Sequence, residues 1–217
     1  MDLRSESFES NGPIPGEFAF CVPAEQPADS PVSMAPNRNP QLAWSDAPEG
    51  TKSFAIICRD PDAPATAEDV NKEGKMVSFR VARVDFCHWV LIDIPATATQ
   101  IPAGSHSDGV TAGGKPPGAT PNGQGLQGVN DYTGWFANDE NMKGEYAGYD
   151  GPCPPWNDER LHHYHFTIYA LDVETLGLSG SFDGTAALEA MEGHVLDRAD
   201  LVGTYTLNPK VSVALSS

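Results

Sequence analysis

Six histidines stand in the 217-residue chain, at His88, His106, His162, His163, His165 and His194, and four of them adjoin strongly apolar runs. Side chains alternate along a strand, so His162, Tyr164, Phe166 and Ile168 share one face, while His163, His165 and Thr167 share the other. The first set is aromatic and apolar with one histidine at its entrance, the pattern expected of a pocket at the end of a sandwich. His88 opens a second apolar run, and Asp60 closes a third. Two imidazoles, a phenol and a carboxylate gathered at strand ends can hold a small anionic or zwitterionic head group. The same residues also fit a plainer role, as partly buried polar groups satisfied by backbone.

Other chemistries fit the residues less well. A metal site needs three or four ligands, and His163 with His165 has no evident third, so no metal is expected. A hydrolase of the usual kind lacks its nucleophile. There is no G-x-S-x-G, and Cys87 beside His88 points to the opposite face of its strand. What stays open is a small hydrolase or lyase that uses one histidine as a general base. A protein that modulates a partner, with the pocket as a regulatory port, also stays open. Gly113-Gly114-Lys115 lacks the glycine spacing and following Ser/Thr of a phosphate-binding loop. No cofactor is implied.

Strands must position these groups. Residues 53–58, 88–94 and 164–171 read as three strong strands, with Asp60-Pro61-Asp62-Ala63-Pro64 ending the first and Pro95 the second. Residues 18–21, 79–85 and 204–207 are weaker strand candidates. A helix is expected over 185–192, starting at Asp183 or Thr185 and closed by Gly193, with a second short helix over 195–199. The chain holds 21 glycines and 19 prolines, and residues 103–160 are dominated by Gly, Pro, Asn and Asp. Strands outnumber helices without βαβ alternation, which predicts a mainly β fold. The expected form is an antiparallel sandwich in one domain over 1–217, with a few short helices near its C-terminal end.

The net charge of −17 argues against nucleic acid and against docking on anionic lipid surfaces. Any anionic ligand must be caught by local donors against the field of the whole protein. No stretch approaches 18 apolar residues, so no transmembrane segment is expected. Residues 1–6 lack the basic-then-apolar pattern of a secretion signal. Cys21, Cys58, Cys87 and Cys153 lie far apart with no CxxC pair, which predicts four reduced thiols in a cytoplasmic protein.

The ordered motifs resemble one family. Asp60-Pro61-Asp62-Ala63-Pro64 resembles the first signature of the phosphatidylethanolamine-binding protein family, and His88-Trp89-Val90 its central His-aromatic strand. Gly151-Pro152-Cys153-Pro154-Pro155 followed by His162-His163-Tyr164-His165-Phe166 is similar to its second signature. Asn39-Pro40-Gln41-Leu42-Ala43-Trp44 and Gly203-Thr204-Tyr205 extend the likeness over nearly the whole chain, closest to the bacterial and archaeal Raf-kinase-inhibitor-like group. The resemblance implies a β-sandwich with a small pocket for a phosphate-like or carboxylate ligand, or a phospholipid head group. It assigns Asp60, His88, His162 and Tyr164 to the pocket lining, Gly151 and Pro155 to its rim, and Asp62 and Pro64 to holding the loop. His88 and His162 would donate to the anion, Tyr164 would add a hydroxyl, and the group suggests a homodimer. The sequence departs from the pattern in three places. His163 stands where the family has arginine, with Arg160 as a candidate replacement cation. Residues 156–160 replace a short linker, and residues 133–147 look inserted. Trp135, Phe136 and Tyr146 mark that insertion as a docking flap, over the pocket or onto a second subunit, rather than a free tether.

Overall fold

A computed structural model describes residues 1–25, 30–120 and 122–211. A six-stranded antiparallel sheet carries the fold. Its long members are β5 (Ser53–Pro64), β6 (Arg83–Pro95), β10 (His162–Leu171) and β11 (Val195–Tyr205). In the sheet they run in the order β11-β10-β5-β6, extended by β9 (Leu126–Gln127) and β8 (Gly118–Ala119). A three-stranded sheet in the order β1 (Asp2–Arg4), β4 (Leu42–Ser45), β7 (Gln100–Ile101) packs on one face. Trp44 of β4 meets Phe54 of β5 there, with ring centroids 5.4 Å apart. Strand β2 (Cys21–Pro23) pairs with β3 (Val32–Met34) as a separate ribbon.

Alternation along the central strands builds two cores from one sheet. Phe54, Ile56 and Cys58 of β5 join Tyr164, Phe166 and Ile168 of β10 in the larger core, under the small sheet and the N-terminal aromatics. Ala55 and Ile57 join Tyr169 and Leu171 in the smaller one. The α-helix Gly184–Met191 covers that second face with Ala187 and Met191, spaced four apart so that both point down. The Asp183 carboxylate accepts from the Ala186 N–H at 2.9 Å and starts the helix as expected.

Three expectations from local signals are corrected. Residues 195–199 are not helical but open β11, because the ladder from His162–Tyr205 to Leu171–Val195 recruits them along the full length of β10. A ready-made strand partner outweighs a modest helical preference. The first strand also does not stop at Asp60 but runs on through both prolines to Pro64. Its register against β6 shifts between Asp60 and Ala63, so Pro61 falls in a bulge where a missing N–H costs no ladder bond. The strand expected over 18–21 is displaced too: Gly16–Phe18 is a short 3-10 turn and β2 begins only at Cys21.

The thiol expectation is overturned. Cys21 and Cys153 form a disulfide, while Cys58 and Cys87 are buried and free. Spacing in sequence cannot reveal this pair, since the fold joins residues 132 positions apart. Titrating thiols in denaturant without reductant should therefore find two reactive groups, and four would remove the disulfide. In the native protein both free thiols should react slowly, because burial pushes the Cys58 thiol well up and the Cys87 thiol up to about 12. The argument from reduced thiols to a cytoplasmic location loses its premise. No described helix is long and apolar enough to cross a membrane.

Candidate functional site

The site lies where the two central strands part. The β5–β10 ladder ends at the Arg59–His165 pair. Beyond it β5 continues beside β6 alone and β10 beside β11 alone. Side chains bridge the gap in place of backbone bonds. His162 Nδ1 donates to Asp60 Oδ2 at 2.6 Å, and Asp62 accepts from the His163 backbone at 3.1 Å, from His163 Nδ1 at 2.8 Å and from Arg160 at 3.1 Å. A cavity of about 270 Å³ opens there. Its polar side chains are those of Asp60, His88, His162 and Tyr164, with Asn71 and the Tyr132 phenol. The rest of the lining is chiefly apolar: Phe20, Met34, Val84, Phe86, Trp135, Phe136, three prolines and the Cys21–Cys153 disulfide.

His162 is held as a cation. Its second nitrogen, Nε2, donates to Asp158 at 3.2 Å, and Asp158 is gripped through both oxygens by Arg83. Burial opposes the charge, but the bonds to Asp158 and Asp60 outweigh it and raise the imidazole to about 9. Asp158 is likewise held below the ordinary carboxylate range. Its own burial works the other way and is outweighed by His162 and Arg83. The row Asp60–His162–Asp158–Arg83 thus alternates in sign. With both nitrogens occupied, His162 has no hydrogen left to donate to a ligand, contrary to the role expected of it.

His88 is the opposite case. One step along β5, from Cys58 to Arg59, is matched by two along β6, from Trp89 to Cys87, so His88 is the extra residue of a bulge. The bulge leaves Cys87 in the smaller core and turns His88 toward the cavity, on the Trp89 side. His88 Nδ1 donates to the Asp150 carbonyl at 2.8 Å, and no described residue partners Nε2. Burial depresses its proton affinity against the pull of Asp60, Asp150 and Asp131. The ring packs edge-on to Tyr164 and Tyr132, with centroids 5.1 and 5.5 Å away. Tyr164 is only 1% exposed, and its hydroxyl has no partner among the described residues. Burial raises its pKa well above the usual phenol value, so it keeps its proton and remains a donor.

Of the residues singled out from sequence, Asp60, His88, His162, Tyr164, Pro64 and Pro155 line the cavity. Gly151 and Asp62 do not. A Cβ on Gly151 would strike the Phe18 carbonyl, and its N–H donates to Asn37 Oδ1 at 2.8 Å, so it serves close packing behind the rim. Asp62 faces His163 and Arg160, whose guanidinium pairs with it outside the cavity. Residues 133–147 dock on the same chain. Tyr146 is buried, Phe136 packs on Phe20 with ring centroids 5.9 Å apart, and Trp135 and Phe136 reach the cavity. Reasoning from sequence missed Asp158, Arg83 and Asp150, whose partners lie in other elements. Asp150 takes bonds from Asn37, Lys115 and Asn130 at 2.8 Å each, and its carbonyl orients His88.

Comparison with known proteins gives the family. The sequence model of the family described as phosphatidylethanolamine-binding protein matches residues 4–206. A UPF0098 protein of Methanothermobacter thermautotrophicus is 32% identical over 205 residues, covering 94% of this chain and 98% of that one. UPF0098 protein YbcL of Escherichia coli is 33% identical over 173 residues, covering 80% of this chain and 70% of YbcL. The crystal structure of E. coli YbcL, described as a new member of the mammalian PEBP family, superposes with a TM-score of 0.63 at 25% identity. It covers 94% of this chain and 97% of its own. With the sheet order, the two signatures and the cavity between them accounted for, the chain belongs to the phosphatidylethanolamine-binding protein family.

Proposed function

We propose that the protein is a binding protein for small molecules with a phosphate-like or carboxylate head group. The head group sits at Tyr164 and His88, and the attached apolar part lies along the aromatic walls. The observation that carries this reading is the Tyr164 hydroxyl, buried, protonated and without a partner among the described residues, at the polar end of an apolar cavity. A lone buried hydroxyl costs stability, and a ligand oxygen recovers that cost. The charged row beside it is internally balanced, and no lysine or arginine among the described residues lines the cavity. Binding therefore depends on oriented hydrogen bonds rather than on bulk charge. This suits a head group, not an extended anionic surface. The disulfide in the cavity wall favours a setting that keeps this pair oxidised, in place of the cytoplasm expected from four thiols.

Tyr164→Phe tests the reading, because it removes the hydroxyl and little else. Affinity for phenylphosphonate by calorimetry should fall about ten- to a hundredfold, the worth of a bond to a charged acceptor. The urea midpoint should hold or rise, since an unsatisfied polar group has been deleted. A loss of stability with unchanged binding would show that the hydroxyl serves the fold alone. His163→Ala should leave affinity as it is, because that side chain pairs with Asp62 outside the cavity.

One observation favours a second reading. Neutral His88 with its free Nε2 is built as a general base would be. Turnover of a panel of esters and phosphoesters, abolished in His88→Gln, would establish it. Among the described residues the cavity lining offers no serine or threonine hydroxyl to activate, so such an enzyme would activate water.

A further inference from the structure

We infer that the site selects among oxyacids by the proton they carry. It prefers one that retains an O–H, such as a phosphonate or phosphate-monoester monoanion, over a sulfonate of the same shape. This rests on the head-group reading above and concerns which head group.

The donors and acceptors at the polar end are unequal in number. A carbonyl only accepts, so the bond from His88 Nδ1 to Asp150 fixes the hydrogen on Nδ1 and leaves Nε2 with a lone pair. Asp60 already receives His162 Nδ1 and the Asp62 N–H, at 2.6 and 2.8 Å, and as a carboxylate it too only accepts. His162 has both hydrogens engaged. Tyr164 is then the one buried free donor among the described side chains of the lining, because the Tyr132 hydroxyl is spent on the Gly151 carbonyl at 2.8 Å and Asn71 is exposed, its oxygen taken by the Trp156 N–H.

A fully ionised tetrahedral head satisfies Tyr164 but sets its remaining oxygens against the lone pairs of His88 and Asp60. A singly protonated head gives one oxygen to Tyr164 and its O–H to His88. The proton count of that complex is the same if the hydrogen crosses to Nε2. What differs is its source. A phosphonate monoanion brings the proton, whereas a sulfonate requires His88 to take one from solvent. The groups facing His88 are Phe86, Tyr132 and Tyr164 by ring contact and Asp60, Asp131 and Asp150 by charge. The three acids favour an imidazolium, but burial outweighs them, so the neutral ring is the resting form.

The test is calorimetry of the intact, oxidised protein with phenylphosphonate and benzenesulfonate, which share a ring and a tetrahedral head. At pH 7 phenylphosphonate should bind at least about tenfold tighter, the usual scale when a buried acceptor is left facing an acceptor. Raising the pH past the second ionisation of the phosphonate should weaken it by about tenfold per pH unit. Lowering the pH toward the His88 value should strengthen the sulfonate at the same rate. His88→Gln, which can turn an amide N–H to the ligand, should bring the two affinities together; the wild-type comparison stands by itself should that variant fold poorly. Equal wild-type affinities at pH 7, or parallel pH profiles, would overturn selection by proton while leaving the head-group reading intact. Binding of neither compound would overturn both.

Discussion

Raising the pH from 6 to 10 should destabilise the folded chain by about 3 kcal/mol through His162 alone. Its proton affinity rises from an ordinary 6.5 to about 9 on folding. A group raised in this way contributes its full stabilisation below the unfolded value and loses it as pH climbs through the folded one. The window is therefore pH 6.5 to about 9. Buried tyrosines also titrate at the alkaline end, so the quantity to measure is the difference in urea midpoint between wild type and His162→Gln at pH 6, 8 and 10. The wild type should lose its advantage across that range, and a constant gap would mean that His162 is not held as a cation. At pH 6 the substitution itself should cost roughly 3–5 kcal/mol, because Asp60 and Asp158 lose a shared buried partner. Asp158 and Asp62 act at the other end of the scale. Their pKa values are lowered, so their contribution is present above the ordinary carboxylate value and disappears as pH falls through the depressed one.

Opening the Cys21–Cys153 bond should be the other large effect. It closes a loop of 132 residues, for which restriction of the unfolded chain is worth roughly 4–5 kcal/mol. At this chain length that is a fall in Tm on the order of 10 °C. The rim it fastens is also tied by the Phe20 and Cys21 N–H groups, which both donate to the Pro152 carbonyl at 2.9 and 3.2 Å. The reduced protein should therefore stay folded at 25 °C, with a looser cavity wall and weaker phenylphosphonate binding. Melts of the Cys21→Ser, Cys153→Ser double variant against oxidised wild type measure the effect. A difference under about 1 kcal/mol would assign the rim to its backbone bonds and packing instead.

The central strands were legible in the sequence because their signal is local. Runs such as Phe54-Ala55-Ile56-Ile57-Cys58 and Phe166-Thr167-Ile168-Tyr169-Ala170 are apolar on both faces, and a strand buried on both faces is the economical way to place them. The face carrying His162, Tyr164 and Phe166 followed from a period of two, which holds wherever a strand is regular. Residue type and order along the chain also sufficed for the antiparallel β-sandwich and for the likeness to the family.

Tertiary structure decided whatever depends on what lies opposite. The bulge that turns His88 toward the cavity is a mismatch between two strands and leaves no mark in either one alone. Residues 195–199 have acceptable helical composition, and only the waiting edge of β10 makes them strand. Cys21 finds Cys153, and His162 finds Asp158 and Arg83, through closures that bring loops and strand ends together. That last meeting changes the chemistry most. Two histidines of the same type, one at the start of β10 and one in a bulge within β6, become a fixed cation and a neutral acceptor. One is enclosed by carboxylates, while the other is buried against aromatic rings with its hydrogen committed to a carbonyl. Protonation state is a property of the surroundings, and the surroundings of a side chain exist only once the chain has folded.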